Sequence, residues 1–233
     1  MRKSITALCA IAALCGPLPA LSEPEVMWHT MEAMGCMKLR ECTDEVYELT
    51  DVSLLREHFP TENYTMVRDE ANELISLLNK SGVKVYLAAG RYFPRTHRGS
   101  YYTDTNTFFL NANHMWDQYT FLEVLRHEAW HAAQDCMAGT LDNTMIAVIH
   151  DNEDVPKEYQ LSASVRYQGD WARAIPWEQE AIWAGNTPMM SVDAMAACAS
   201  DTPMWHTYKP TPKTAEWLTE NGYQVLPPES FEL

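Results

Sequence analysis

Residues 124–136 read VLRHEAWHAAQDC, with His127 and His131 four apart and Glu128 directly after the first histidine. On an α-helix, side chains four residues apart stand on one face, one turn above the other. Both histidines can then point at one ion, and Glu128 lies beside it, placed to take a proton from bound water. The same segment carries Tyr119, Leu122, Leu125, Ala129, Ala132 and Ala133 at helical spacing. A long helix is therefore expected from about Trp116 to Met137, stopped by Gly139. The alternative is a solvated helix face whose histidines have ordinary partners. A chance H-E-x-x-H arises in roughly one in forty sequences of this histidine and glutamate content, so the surroundings have to discriminate.

Upstream, residues 62–80 place Tyr64, Val67, Ala71, Leu74, Ile75 and Leu78 at helical spacing, with Gly82 after the end. Residues 83–89 then read as a strand. A loop, GRYFPRTHRG (90–99), holds Arg91, Arg95, His97 and Arg98, the densest positive cluster in an acidic chain. It can select acidic substrate residues or neutralise acidic surface elsewhere. Two short strands follow, Ser100–Tyr102 and Thr107–Asn111, joined at TDTN as a hairpin. Downstream, helical segments are expected near residues 143–150, 157–167, 176–184, 192–199 and 213–221, separated by prolines. The segment 23–50 reads as helical or mixed. The fold class expected is α+β, with a helical C-terminal half.

The N-terminus has Arg2 and Lys3, an apolar run from Ile5 to Leu14, and small residues at Ala20 and Ser22. That is the three-part pattern of a secretory signal peptide over residues 1–22, followed by a single domain over 23–233. No run is long enough for a membrane span. Losing Arg2 and Lys3 takes the net charge from −15 to −17. This argues against a nucleic acid partner, whose phosphates need a basic surface, and against an anionic membrane surface. Four cysteines remain after the signal. Their even number in an oxidising compartment suggests two disulfides, Cys36–Cys42 as a local staple and Cys136–Cys198 as a long bridge. A four-cysteine zinc site is the rival, but no close Cys-x-x-Cys pair supports it.

VLRHEAWHAAQ resembles the active-site helix of the zincin metallopeptidases. GSYYTDTNTFFLN (99–111) is similar to the strand pair that precedes that helix in the family. The resemblance spans about residues 83–184. It implies a zincin-like fold: a small, mostly antiparallel sheet, its edge-strand hairpin packed on the active-site helix. It also implies that an extended substrate lies along the edge strand by strand addition. The metzincin pattern, with Gly at 134 and His at 137, is absent, since Gln134 and Met137 stand there. PWEQEAIWAGN (176–186) resembles the E-x-E-A segment of families whose third ligand is a glutamate on a later helix, including the peptidases that cleave phage repressors.

The resemblance implies one Zn²⁺ held by His127, His131 and a glutamate, with Glu128 as general base. Trp177, Ala181 and Ala184 form one helical stripe, and Glu180 falls on it, whereas Glu178 points about 200° around the helix. A stripe packed on the active-site helix brings Glu180 to the metal, with Glu178 and His150 as alternatives. Asp135, one turn beyond His131, either supports the metal region or is simply solvated. Tyr159, Tyr167, His206 and Tyr208 are candidate donors to a developing oxyanion, and none is singled out. Trp130, Trp171, Trp177 and Trp183 are expected to fill the core between helices. The expected activity is exported, zinc-dependent hydrolysis of a peptide or protein substrate. The alternatives are a secreted zinc protein without catalysis, and a metal amidase acting on cell-wall peptides or small amides.

Overall fold

The near-continuous apolar runs at residues 85–89 and 108–110 let one sheet bury both faces. The computed structural model describes residues 31–225, and the expected signal peptide lies outside them. Along the chain run α1 (Met31–Lys38), β1 (Val46–Glu48), α2 (Leu55–His58), α3 (Arg68–Lys80), β2 (Lys84–Ala88), β3 (Gly99–Tyr102) and β4 (Thr107–Asn111). Then come α4 (Gln118–Met137), α5 (Lys157–Arg166), α6 (Ile175–Asn186), α7 (Met190–Cys198) and α8 (Pro212–Glu220). The α+β class and the helical C-terminal half are as expected. Among the described residues, no helix is long and apolar enough to cross a membrane.

The sheet order is β1-β2-β4-β3. β1 with β2 and β3 with β4 are antiparallel, but the central pair β2 and β4 is parallel. The sheet is therefore mixed, where a mostly antiparallel one was expected. The cause is topological: after the loop at 90–98 the chain runs out to the edge as β3, then returns through the hairpin to lie beside β2. β4 is buried at all five positions, as a central strand covered on both faces should be. Val85, Leu87, Phe108 and Leu110 face the main core with α3, α4, α6 and α7. Ala88 and Phe109 face a smaller cluster with Met34, Met37, Tyr92 and Phe93.

Two helix boundaries differ from the sequence reading. α3 begins at Arg68, not Glu62, because Asn63 Oδ1 accepts from the backbone N–H and hydroxyl of Thr65 and holds a turn there. Tyr64 and Val67 are buried all the same. Residues 143–150 form no helix. Their backbone groups find partners elsewhere in the fold: Ala147 N donates to Gln134 O, Ile146 O accepts from Trp177 Nε1, and Val148 O accepts from Thr214 Oγ1. β1 was not foreseen within the mixed segment 23–50.

Both expected disulfides are present, Cys36–Cys42 and Cys136–Cys198. The second ties α4 to α7, the helix after α6, and closes a 62-residue separation. Such a bridge stabilises by about 2–4 kcal/mol, chiefly through the unfolded chain.

Candidate metal centre

α4 is capped by Asp117, whose carboxylate accepts from Thr120 N at 2.8 Å. It then runs through the middle of the helical layer, with most of its residues from Phe121 to Met137 buried. α6 packs directly on it. Ala181 and Ala184 are fully buried, and Gly185 permits the close approach: a Cβ there would lie 3.0 Å from the Glu123 carbonyl and 3.5 Å from His127 Cβ. Small residues at this crossing bring the side chains of two helices to one point.

At that point stand His127, His131 and Glu178. Glu178 Oε2 lies 3.3 Å from His127 Nε2 and 3.7 Å from His131 Nε2, and one ligand atom from each residue lies within 4.8 Å of the others. The two imidazoles meet edge to face, with centroids 4.9 Å apart. All three side chains are mostly buried, at 20%, 13% and 16% exposure, so the group is not a solvated face.

The structure thus brings the two expected histidines together with Glu178, the alternative to Glu180, which lies outside this group. The apolar stripe of α6 does pack on α4, and it carries Glu180 inward past the histidines. Trp130 and Gln134 lie three residues after His127 and His131, on the adjoining, fully buried stripe of α4. Glu180 meets that stripe. Its carboxylate accepts from Trp130 Nε1, Gln134 Nε2, Ile149 N and His150 N at 2.6–3.2 Å. Burial raises the Glu180 carboxyl to about 7 against these donors. Glu178, at the border of the stripe, reaches the two histidines instead. His150 is also outside the group: its ring stacks on Trp130 at 5.7 Å and on Trp183 at 5.1 Å.

Glu128 is buried beneath the edge strand β3. A Cβ at Gly99 would come within 2.6 Å of Glu128 Oε1, so only glycine leaves room for this carboxylate. Burial raises the Glu128 carboxyl, while His127 and His131 lower it, Glu178 raises it, and the Tyr101 amide lowers it by donating a hydrogen bond. Burial also lowers the His131 imidazole, but Glu178, Glu128 and Gln134 outweigh it and bring it up to about 9. In Glu178 burial is outweighed by the two imidazoles, which hold its carboxyl well below the usual carboxylate range.

Of the four candidate donors, Tyr167 comes to the centre. Burial pushes its hydroxyl up, as do the charge of Glu178 and a hydrogen bond with it, and the charge of Glu128. His206 Nε2 instead lies 3.4 Å from Gln224 O, and the Tyr208 hydroxyl responds to burial and Asp193. No sequence signal singled out Tyr167, because it follows α5 in a segment without a motif. Asp135 is fully buried, not solvated, and accepts from Tyr101 Oη at 2.7 Å. In the 90–99 loop, Arg91 pairs with Glu45 and Arg98 Nη1 lies 4.0 Å from Glu123. These two arginines therefore meet acidic residues of the protein itself. Of the tryptophans, Trp130 is fully buried and Trp177 and Trp183 partly so, while Trp171 is 55% exposed and fills no core.

Does this donor set fit a metal ion? Two ligands at about 2.0–2.1 Å from a tetrahedral ion lie roughly 3.3–3.5 Å apart. The contacts of Glu178 Oε2 with both rings are close to that edge length. Glu178 Oε2 is also a buried carboxylate oxygen without a hydrogen-bond partner, which is unusual unless a cation or water serves it. Two imidazoles and a carboxylate suit a divalent transition metal. The chain matches no protein-family model, no curated protein and no solved structure, so the geometry of the site itself carries the functional argument.

Proposed function

We propose that the protein is an exported zinc-dependent hydrolase, a metallopeptidase of zincin-like architecture, with His127, His131 and Glu178 holding the ion. The observation that carries this reading is the convergence of three metal-ligand atoms beside a buried fourth group, Glu128. A purely structural site has no use for that carboxylate, and three protein ligands leave a tetrahedral ion one open position.

When bound, Zn²⁺ lowers the pKa of water at the site and polarises a carbonyl. Glu128 accepts the proton of the attacking water and passes it to the leaving amine nitrogen. Gly99 and the Tyr101 amide fix where that carboxylate sits. β3 is the edge of the sheet, so its free side can pair with an extended peptide. Tyr167, whose hydroxyl senses both Glu178 and Glu128, is the group we assign as donor to the developing oxyanion. Two disulfides suit an oxidising compartment and the export that residues 1–22 suggest.

The test is hydrolysis of casein and mixed peptides by the purified, zinc-loaded protein beside Glu128→Gln. Loss of the general base should lower the rate about 10²–10⁴-fold with zinc retained. Equal rates in the two proteins would remove Glu128 from the chemistry. Cleavage of cell-wall peptides or small amides alone would move the activity to the amidase class. Zinc bound without turnover on any substrate would make the site non-catalytic.

A further inference from the structure

We propose that Gln134 fixes the tautomer of His131, with Glu180 as its anchor, so that the Nε2 lone pair of His131 is held toward the metal position. This rests on the reading of His127, His131 and Glu178 as a metal centre, and it assigns a positioning role to two residues that touch no ion.

Gln134 is fully buried on α4. Its side-chain nitrogen lies 2.7 Å from Glu180 Oε2 and 3.1 Å from the Trp177 carbonyl. Both neighbours are oxygens, and a carbonyl can only accept. Glu180 also receives Trp130 Nε1, Ile149 N and His150 N. Whatever the protonation of Glu180, the Trp177 carbonyl needs a donor, and a flipped amide would set its oxygen 3.1 Å from that carbonyl oxygen. The orientation of the amide is therefore fixed by the network.

That orientation aims Gln134 Oε1 at His131 Nδ1, 2.8 Å away. An amide oxygen has no proton to give, so Nδ1 carries the hydrogen. The neutral ring then keeps its lone pair on Nε2, the nitrogen that faces Glu178 Oε2 at 3.7 Å. The order of the relay follows from chain position: Gln134 is three residues after His131 on α4, and Glu180 comes from the stripe of α6 that packs there. Partners of this kind orient a ligating imidazole and raise its basicity, and their loss typically lowers metal affinity about 10–100-fold.

The experiment reads the His131 tautomer by long-range ¹⁵N–¹H correlation. It uses the metal-free full-length mature protein, at a pH above the imidazole titration, with the resonance assigned by its loss in His131→Phe. It is paired with zinc affinity, measured by chelator competition, for wild type and Gln134→Met. The wild type should show a single Nδ1–H tautomer. Gln134→Met should show mixed tautomers and bind zinc about 10–100-fold more weakly. A merely structural role for Gln134 would lower the melting temperature and leave tautomer and zinc affinity unchanged. An Nε2–H tautomer in the wild type overturns the proposal, as does Gln134→Met with wild-type tautomer and affinity. If Gln134→Met does not fold, the wild-type tautomer alone decides. Absence of zinc binding in the wild type would sink the metal reading and leave the tautomer result standing. Zinc binding without hydrolysis would sink only the catalytic reading.

Discussion

Glu178 and Glu180 are two residues apart on α6, yet they end in opposite surroundings. Glu180 is 1% exposed and is met by four N–H donors from α4 and the 149–150 segment. Glu178 Oε2 is buried against two imidazoles and has no hydrogen-bond partner. The first arrangement is what stability asks of a buried carboxylate, since each donor left without an acceptor costs about 1–3 kcal/mol. The second sets the charge against two ring nitrogens, which hold the carboxyl ionised and place three metal-ligand atoms together. A candidate metal group is thus better recognised by the ligand atoms that face one another than by the depth at which each is buried.

The largest effect that can break this contrast is on stability. Glu180→Ala should lower the unfolding free energy of the metal-free protein by at least about 3 kcal/mol, because several buried donors lose their acceptor. Glu178→Gln should cost less, since it removes the charge facing the two imidazoles but leaves no set of buried N–H donors without an acceptor. Denaturant titration of both variants checks this, and the reverse order would abolish the distinction. Next comes the geometry of Glu128, the proposed proton acceptor. Gly99→Ala should displace Glu128 and reduce hydrolysis about 10²-fold, as misplacement on the order of 1 Å can do, while zinc content stays unchanged. Unaltered turnover would mean that the contact between β3 and Glu128 is not needed.

The smallest effect concerns Asp135, which with Glu128 is one of the two buried carboxylates of α4. Burial brings its carboxyl up to about 7, although the Tyr101 hydroxyl opposes this. A raised folded-state pKa means that its contribution to stability is complete below the unfolded pKa of about 3.9 and is lost as pH rises toward 7. Asp135→Asn should remove that part of the downward slope of stability between pH 4 and 7. An unchanged slope in the variant would show that Asp135 is ionised throughout.

Much of the arrangement was legible in the sequence, and the failures share a cause. The period of Leu122, Leu125, Ala129 and Ala132 marked α4, and the H-E-x-x-H spacing marked one face of it. The turn residues of TDTN marked the hairpin, and the four cysteines paired as expected. The choice between Glu178 and Glu180 was decided by the most apolar stripe of α6, but the deepest stripe leads to the core, and His127 and His131 lie at its border. The helix expected at 143–150 failed because backbone groups there satisfy Gln134, Trp177, Glu180 and Thr214. Partners so distant in sequence leave no local pattern. Tyr167 was one of four equal candidates for the same reason.

Zinc stoichiometry of three proteins, wild type, Glu178→Ala and Glu180→Gln, each loaded and then dialysed at neutral pH, tests the central assignment most directly. One zinc per chain is expected in the wild type and in Glu180→Gln, with none retained by Glu178→Ala. Wild-type zinc binding by Glu178→Ala, together with its loss in Glu180→Gln, would contradict the assignment and return the third ligand to the buried stripe of α6.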